Sequence, residues 1–347
     1  MLQTSLLSTG HADLVTHVVY DFYGVRLATC SADHKIKLFK KQTDGIWEPE
    51  TEWKAHDAPV LHLSFAHPVH GSLLASCSHD RTVRIWEELP TSANPAPGAA
   101  RWAERGTLTG AKGSVRAVEF SPPNPAYGLR VASIATDSHL RVHTSLDPDL
   151  SDWSLAHDVH IPSLAAPGGH EDLSSAATLT LMEGPATPAE AATGGWGLSW
   201  CKEKWWGSVV SVFAGNSSTA KVVSLDPTPT CLVTLRTASA SPLTCIAWAP
   251  SCGRSYHLIA TGSREGAVRI WRVEPPSEDE GTKTWTSEEL CSFAKGVRVG
   301  MVEWNATGTT LSASTDEGVV SIYKPTYAKN WKLLGQMSAE EPPADEA

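Results

Sequence analysis

Residues 74–86 read LASCSHDRTVRIW, and this stretch decides the fold. A first run at 74–78 is followed by a turn at Asp80 and by a second run that ends on Trp86. Short runs of strand-forming residues on both sides of a turn residue are typical of a β-hairpin. The stretch therefore predicts two antiparallel strands, with an aromatic residue at the end of the second.

The same template recurs along the chain. Further copies lie at 27–39, 131–143, 259–271 and 311–323, with a weaker copy at 209–223. The turn residues of the six copies are Asp33, Asp80, Asp137, Asn216, Glu265 and Glu317. Their separations run from 47 to 79 residues, so a regular motif is joined by loops of varied length. This predicts one supersecondary unit repeated six times.

Each copy implies a four-stranded antiparallel sheet, and sheets of this kind pack as the blades of a β-propeller. The prediction is an all-β fold of six blades and 24 strands, the first strand at 14–21 and the last at 331–336. A single propeller domain is expected over 1–336, with an insert at 161–193 and an acidic flexible tail at 337–347. The insert is rich in small and polar residues, so it has too little apolar mass to offset the entropy of ordering it.

Composition excludes several classes of function. The formal net charge is −10 and no segment is dense in Lys and Arg, which argues against direct binding of nucleic acid. Seven cysteines include no CxxC pair, which suits a reducing compartment. A secretory signal and an apolar run of membrane-spanning length are both lacking, so no membrane insertion is expected.

Histidine is frequent, and two pairs are close in sequence, His67 with His70 and His157 with His160. Neither pair has two further ligands at a suitable spacing, so no metal site is expected. The glycine run at 194–197 lacks the spacing of a phosphate-binding fingerprint and a following helix. No cofactor is expected either.

The repeat resembles the WD-repeat family. In that family an upstream His, a strand Ser or Thr, the turn Asp and the terminal Trp form a buried hydrogen-bonded set. Only the second repeat has all four, as His56, Ser76, Asp80 and Trp86. Elsewhere Phe39, His143 and Tyr323 replace the Trp, and Glu265 and Glu317 replace the Asp. A Ser–His–Asp catalytic triad is the alternative, but it would lie inside the blade wall, so a structural set and no enzyme are expected.

The N-terminal stretch LQTSLLS, 2–8, also alternates as a strand does, although six blades already account for 24 strands. NWKLLG, 330–335, gives the last blade its fourth strand. Either that assignment is wrong, or LQTSLLS is the outer strand of a seventh blade whose other three strands come from a partner by β-augmentation. In the second case Leu2, Thr4, Leu6 and Leu7 bind the partner, with Leu7 on the opposite face from the other three.

Within the WD-repeat family the chain resembles the Seh-type nucleoporins, the Sec-thirteen homologues. The stretches that carry this resemblance are 11–39, 146–159, 245–260 and 302–335. The resemblance implies an open six-bladed propeller, completed in trans by a blade from an α-helical scaffold nucleoporin. It implies a structural subunit of the Y-shaped complex of the nuclear pore, at the nuclear envelope, that supports transport of mRNA and protein.

The resemblance also implies a second role in the SEA/GATOR assembly, which signals nutrient supply to the TOR pathway at the periphery of the vacuole or lysosome. The alternative is a coat-protein-like propeller subunit of secretory (COPII) vesicles; the tail YAKNWKLLG, 327–335, favours the nucleoporin.

Two adjacent tryptophans, Trp205 and Trp206, lie in a departure from the family pattern. One reading is that they pack within the blades. The other is that one of them is a surface anchor for a partner, because Trp is enriched at interface hot spots.

Overall fold

The computed structural model describes residues 7–89, 101–147, 149–167, 194–203, 206–276, 284–294, 296–327 and 330–338. Within these ranges, twenty-four strands form six antiparallel sheets of four strands each. In every sheet the strands lie side by side in chain order, as a β-meander. The chain divides into two compact units, Met1–Val159 and the residues from His160 onward, and each is described by itself.

The first unit contains blades 1 to 3. The strands of blade 1, β1 to β4, are Val15–Tyr20, Arg26–Ser31, Lys35–Lys41 and Trp47–Lys54. Those of blade 2, β5 to β8, are Val60–Phe65, Leu73–Ser78, Val83–Glu88 and Trp102–Leu108. Those of blade 3, β9 to β12, are Val115–Phe120, Leu129–Ala135, His139–Ser145 and Ser154–His160. One turn of 3-10 helix, Pro68–His70, joins β5 to β6.

The second unit contains blades 4 to 6. The strands of blade 4, β13 to β16, are Gly195–Trp200, Val209–Gly215, Thr219–Ser224 and Thr230–Arg236. Those of blade 5, β17 to β20, are Leu243–Trp248, His257–Ser263, Ala267–Glu274 and Thr286–Ala294. Those of blade 6, β21 to β24, are Val299–Trp304, Leu311–Thr315, Val319–Pro325 and Trp331–Ser338.

The predicted fold class, an all-β WD-repeat propeller with six four-stranded blades, is confirmed. The predicted number of 24 strands is found, and the first and last, predicted at 14–21 and 331–336, lie within about two residues of those bounds. The last strand, β24, continues to Ser338, two residues into the segment predicted as a tail. The prediction of a single domain over 1–336 stays a prediction.

The second strand of a blade is built from small and apolar residues because both of its faces are packed. All six residues of β6, LLASCS, are buried. Leu74 contacts the cluster shared with blade 1, whereas Ala75 and Cys77 contact the cluster shared with blade 3. Strand β18 repeats this in the second unit, since Ile259 packs with blade 4 and Ala260 with blade 6. Strands buried on both faces read as continuous apolar runs rather than as alternation.

The insert predicted at 161–193 begins with an ordered turn. Ile161 is buried, and the Lys221 ammonium of β15 donates to the carbonyl oxygens of Ile161 at 2.8 Å and Leu164 at 2.6 Å. Burial lowers the pKa of Lys221. Its three donors satisfy the turn, which fixes the start of the insert against blade 4. Residues 168–193 lie outside the described residues.

Within the described ranges, the structure contains no helix of the length and apolarity that crossing a membrane requires.

Candidate interaction surface

The four residues predicted as the structural set of the second repeat lie in one hydrogen-bonded chain. His56 Nδ1 lies 2.8 Å from Asp80 Oδ2, and His56 Nε2 lies 2.8 Å from Ser76 Oγ. Trp86 Nε1 donates to the same Ser76 Oγ at 2.9 Å. Because a carboxylate can only accept, Nδ1 carries the proton, and Ser76 therefore donates to Nε2. The donors run in one direction, from the indole to the carboxylate, and such chains strengthen one another.

Burial lowers the pKa of His56, which Asp80 opposes, so the imidazole is neutral near pH 7. For Asp80, burial acts to raise the pKa, but the hydroxyl of Thr82 and the imidazole of His56 outweigh it and lower the value. Ser76 is fully buried. A substrate cannot reach its hydroxyl, so the arrangement ties the turn to the strands and has no geometry for nucleophilic attack.

Blade 1 has the same arrangement without the indole. His11 Nδ1 lies 2.9 Å from Asp33 Oδ2, and His11 Nε2 lies 2.9 Å from Thr29 Oγ1. The backbone N–H of Lys35 also donates to Asp33, at 3.0 Å. Phe39 occupies the position of the Trp and is buried. Three members of the set are therefore enough to fix this turn.

Blades 3 and 5 use an arginine where the imidazole is missing. Arg141 donates to Asp137 through NH2 at 2.7 Å and through NH1 at 3.2 Å, and both side chains are buried. In blade 5, Arg269 donates to Glu265 at 2.6 Å. This substitution was not predicted from the sequence. The available signal is an Arg four residues after the acidic turn residue in a repeat that lacks the upstream His, since blade 2 has Arg84 at the same spacing but binds Asp80 through His56.

Blade 5 keeps the bond between indole and hydroxyl, since Trp271 Nε1 donates to Thr261 Oγ1 at 2.9 Å. Among the described residues, no group of three His, Cys, Asp or Glu side chains is placed to hold a metal ion.

The face of blade 6 that turns away from blade 5 is here named the blade 6 flank. Val302 and Trp304 of β21 pack into the cluster shared with blade 5. Their neighbours Met301 and Glu303 therefore point to the other face, because successive residues of a strand alternate. Register places two rows on this flank: Met301, Ser314, Val320 and Met337 in one, and Glu303, Ser312, Ile322 and Gly335 in the other.

Exposure separates the blade 6 flank from the matching face of blade 5. Val320 and Ile322 are half-buried. Their counterparts in blade 5, Val268 and Ile270, are 1% and 0% exposed, because blade 6 packs on them. The flank is thus a sheet face with apolar residues at the positions that a following blade covers, which is typical of an interaction surface.

Blade 1 has an exposed apolar face as well. Val18 and Tyr20 of β1 alternate with His17 and Val19, and Val19 packs towards blade 2. Val18 is 40% exposed and Tyr20 54% exposed. We name the face that carries Val18 and Tyr20 the blade 1 flank. The first strands of blades 3 and 4, in contrast, have most of their residues buried, so β1 presents large apolar side chains to solvent where those strands do not.

The model of the WD domain, G-beta repeat, matches residues 3–40, 47–87 and 229–272. Nucleoporin SEH1 of Saccharomyces cerevisiae is 30% identical over 376 residues, covering 96% of this chain and 99% of the relative. Nucleoporin SEH1 of Homo sapiens is 31% identical over 347 residues, covering 98% and 89%. The chain belongs to the SEH1 nucleoporin family. Nucleoporin SEH1-A of Xenopus laevis agrees, with 31% identity over 345 residues, 97% of this chain and 89% of the relative.

The N-terminal strand predicted for this SEH1-family chain lies mostly outside the described residues. Leu2, Thr4 and Leu6 fall in 1–6, which are not described. Leu7 is described, is partly exposed and is not part of a strand. The prediction that these four residues bind a partner therefore stays a prediction.

Of the two tryptophans predicted as a possible anchor in this SEH1-family chain, Trp205 lies outside the described residues. Trp206 packs edge-on against His257 of blade 5, with ring centroids 5.4 Å apart, and against Trp285 at 5.7 Å. It remains 39% exposed. Part of the indole thus packs on blade 5, while the rest is accessible, and its role as a surface anchor stays a prediction.

Proposed function

We propose that the chain is a structural, non-catalytic scaffold subunit of the nuclear pore complex, and that a partner packs a β-sheet on the blade 6 flank. The observation that carries this proposal is the pair of rows led by Met301 and Glu303, which repeat the covered face of blade 5. The names of the SEH1 relatives, all nucleoporins, support the location.

The partner in this proposal is an α-helical scaffold nucleoporin of the Y-shaped complex that donates a three-stranded sheet. An extended segment that adds to a sheet gains main-chain hydrogen bonds, and the alternate side chains select its sequence. The blade 1 flank, with Val18 and Tyr20, offers apolar surface to the same kind of partner. LQTSLLS, 2–8, is then the fourth strand of the donated blade. The assembled subunit supports transport of mRNA and protein at the nuclear envelope.

A second role in the SEA/GATOR assembly at the vacuolar or lysosomal periphery rests on the family resemblance alone. The coat-protein alternative is less well supported, because the named relatives are nucleoporins.

The proposal is tested by purifying the tagged chain from cells and identifying its companions, in parallel with Ile322→Asp. A buried aspartate without a partner is costly, so this variant should lose at least tenfold of the bound nucleoporin, which about 1.4 kcal/mol suffices to produce. The control is Leu290→Asp, which changes an exposed apolar residue of β20 in the same unit. It should bind as the wild type does. Equal recovery of nucleoporins with Ile322→Asp, or vesicle-coat proteins as the companions, would contradict the proposal.

A further inference from the structure

Neighbouring blades within each unit are joined by a hydrogen bond between a side chain on the first strand of one blade and the backbone of the next blade. In blade 2, Ser64 Oγ accepts the backbone N–H of Phe120 in blade 3 at 3.1 Å. In blade 4, Ser199 Oγ accepts the backbone N–H of Trp248 in blade 5, also at 3.1 Å. Both hydroxyls are buried. The acceptor in each case stands one residue before the aromatic residue that ends the strand.

Register assigns Glu303 of blade 6 to the same position. Ser64 pairs with Ala75, and Ser199 pairs with Ser211, in the second strand of its own blade. Glu303 pairs with Ser312 in the second strand of blade 6 and directly precedes Trp304. The position that accepts a backbone N–H from the following blade is thus occupied in blade 6 by a carboxylate.

The other two joints use a threonine at the bulge of the first strand. Thr16 Oγ1 donates to the carbonyl of Val60 at 2.5 Å, and Thr244 Oγ1 donates to the carbonyl of Val299 at 2.7 Å. Blade 6 has Gly300 at this bulge, and glycine has no hydroxyl. A blade packed against blade 6 can therefore donate a backbone N–H to an acceptor at the position of Ser64, but its carbonyl finds no hydroxyl donor at the position of Thr16.

Glu303 is suited to accept a hydrogen bond. An ionised carboxylate is an acceptor only, and its bonds to N–H groups are shorter and stronger than those of a hydroxyl. The carboxylate lies on a flank that also carries the apolar side chains of Met301, Val320, Ile322 and Met337. Crowding by the surrounding protein raises its pKa although the side chain is exposed, and the ammonium of Lys202 opposes that shift. Covering it without a donor would cost free energy, so a partner must bring one.

We propose that Glu303 accepts a backbone N–H from the first strand of the partner's donated blade, at the place taken by Phe120 and Trp248 in the joints within the chain. This inference rests on the proposed function. It states the chemistry of the partner: a strand that continues the blade 6 flank and presents a main-chain N–H, rather than a basic side chain, to the carboxylate.

The experiment measures the affinity of the recombinant helical nucleoporin recovered with the tagged chain for the wild type, Glu303→Gln and Glu303→Leu. Gln keeps the acceptor oxygen and should lose less than about fivefold in affinity, whereas Leu removes it and should lose about tenfold to a hundredfold. The control is Glu288→Leu, an exposed site on β20, which should bind as the wild type does. The melting temperature of the chain without partner should not change in any variant, because Glu303 is exposed there.

The outcomes separate the inference from the proposed function. If Ile322→Asp abolishes binding but Glu303→Leu binds as the wild type does, the flank is the interface and the role of Glu303 is wrong. If Gln and Leu weaken binding equally, the charge matters rather than the acceptor, and an ion pair replaces the proposed bond. A wild-type chain that binds no nucleoporin overturns both.

Discussion

Blades 2 and 3 each have a carboxylate at the same position of the turn, but different basic side chains form hydrogen bonds to it. In blade 2, Asp80 is bound by the neutral imidazole of His56 at 2.8 Å. In blade 3, Asp137 is bound by the guanidinium of Arg141, in two hydrogen bonds. The backbone of the turn is conserved between them, since Arg81 and Ser138, which follow the two carboxylates, have φ of 70° and 60°.

In these two blades the carboxylate accepts a hydrogen bond from the backbone of its own turn, whereas the basic side chain that binds it differs. Thr82 N donates to Asp80 at 3.0 Å, and His139 N donates to Asp137 at 3.1 Å, so this local bond is common to both. The consequence for stability differs, because an imidazole can stay neutral when its partner is lost and a guanidinium cannot.

The largest expected effect comes from removing the two carboxylates. Asp137→Ala leaves the buried guanidinium of Arg141 with Asp158, 3.7 Å away, as its remaining acidic partner in the part of the chain that the structure describes. Breaking a buried ion pair typically costs about 3–5 kcal/mol. Asp80→Ala leaves a neutral imidazole and should cost about 1–3 kcal/mol. Urea unfolding of both variants measures the two free energies.

Asp137→Asn serves as the control, because it keeps the acceptor oxygen for His139 N while removing the charge. It should fall between the wild type and Asp137→Ala. Equal losses for Asp80→Ala and Asp137→Ala would show that the base does not matter and that the shared backbone bond dominates.

Acid should lower the stability of the fold more through a buried imidazole without a carboxylate partner than through one with such a partner. His62 stacks on His17 with ring centroids 3.8 Å apart. Burial lowers the pKa of His62 from 6.5 to about 4. The unfolded chain therefore takes up protons that the folded chain does not, so stability is full above about pH 6.5 and falls as the pH drops towards 4. Each such group contributes a slope of at most about 1.4 kcal/mol per pH unit.

The variant His62→Phe should flatten the pH dependence of the thermal midpoint between pH 6.5 and 4. His56→Gln should flatten it less, because Asp80 opposes the effect of burial on His56. An unchanged profile in His62→Phe would place the acid-sensitive group elsewhere.

The smallest effect is expected in blade 5, where the arginine pair is more exposed. The side chain of Glu265 is 35% exposed, although Arg269 is buried. Glu265→Gln keeps an acceptor for Ser239 Oγ and for the guanidinium, so the cost should be below about 1 kcal/mol. Added salt should reduce the difference further. A loss as large as that of Asp137→Ala would mean that exposure does not govern these pairs.

The number, type and order of the strands follow from the sequence because runs of strand-forming residues and the turn residues between them are local features. LASCSHDRTVRIW contains a whole hairpin, so no distant contact is needed to recognise it. The set of His56, Ser76, Asp80 and Trp86 is also found from sequence, since the family pattern fixes the spacing of its members. The arginine substitutes are harder to find, because Arg141 and Arg269 resemble the exposed charged residues of any strand.

The faces of the blades depend on what packs next to them. Alternation in β21 shows that Met301 and Glu303 share a face, but it does not say whether that face is covered. In the same way, the first strand is predicted at 14–21 without any indication of which face is covered, and only the packing shows that Val18 and Tyr20 are exposed.

The sequence by itself determined the six-fold repeat, the bounds of the strands to within about two residues and the buried set of blade 2, because these depend on residues close together in the chain. Only the tertiary structure decided that Arg141 replaces the imidazole, that Trp206 packs on blade 5, and that Glu303 stands at the joint position of a flank with apolar rows. The physical reason is that burial and pairing are properties of neighbours in space. A strand carries its own periodicity, but another sheet decides which of its two faces is kept from water.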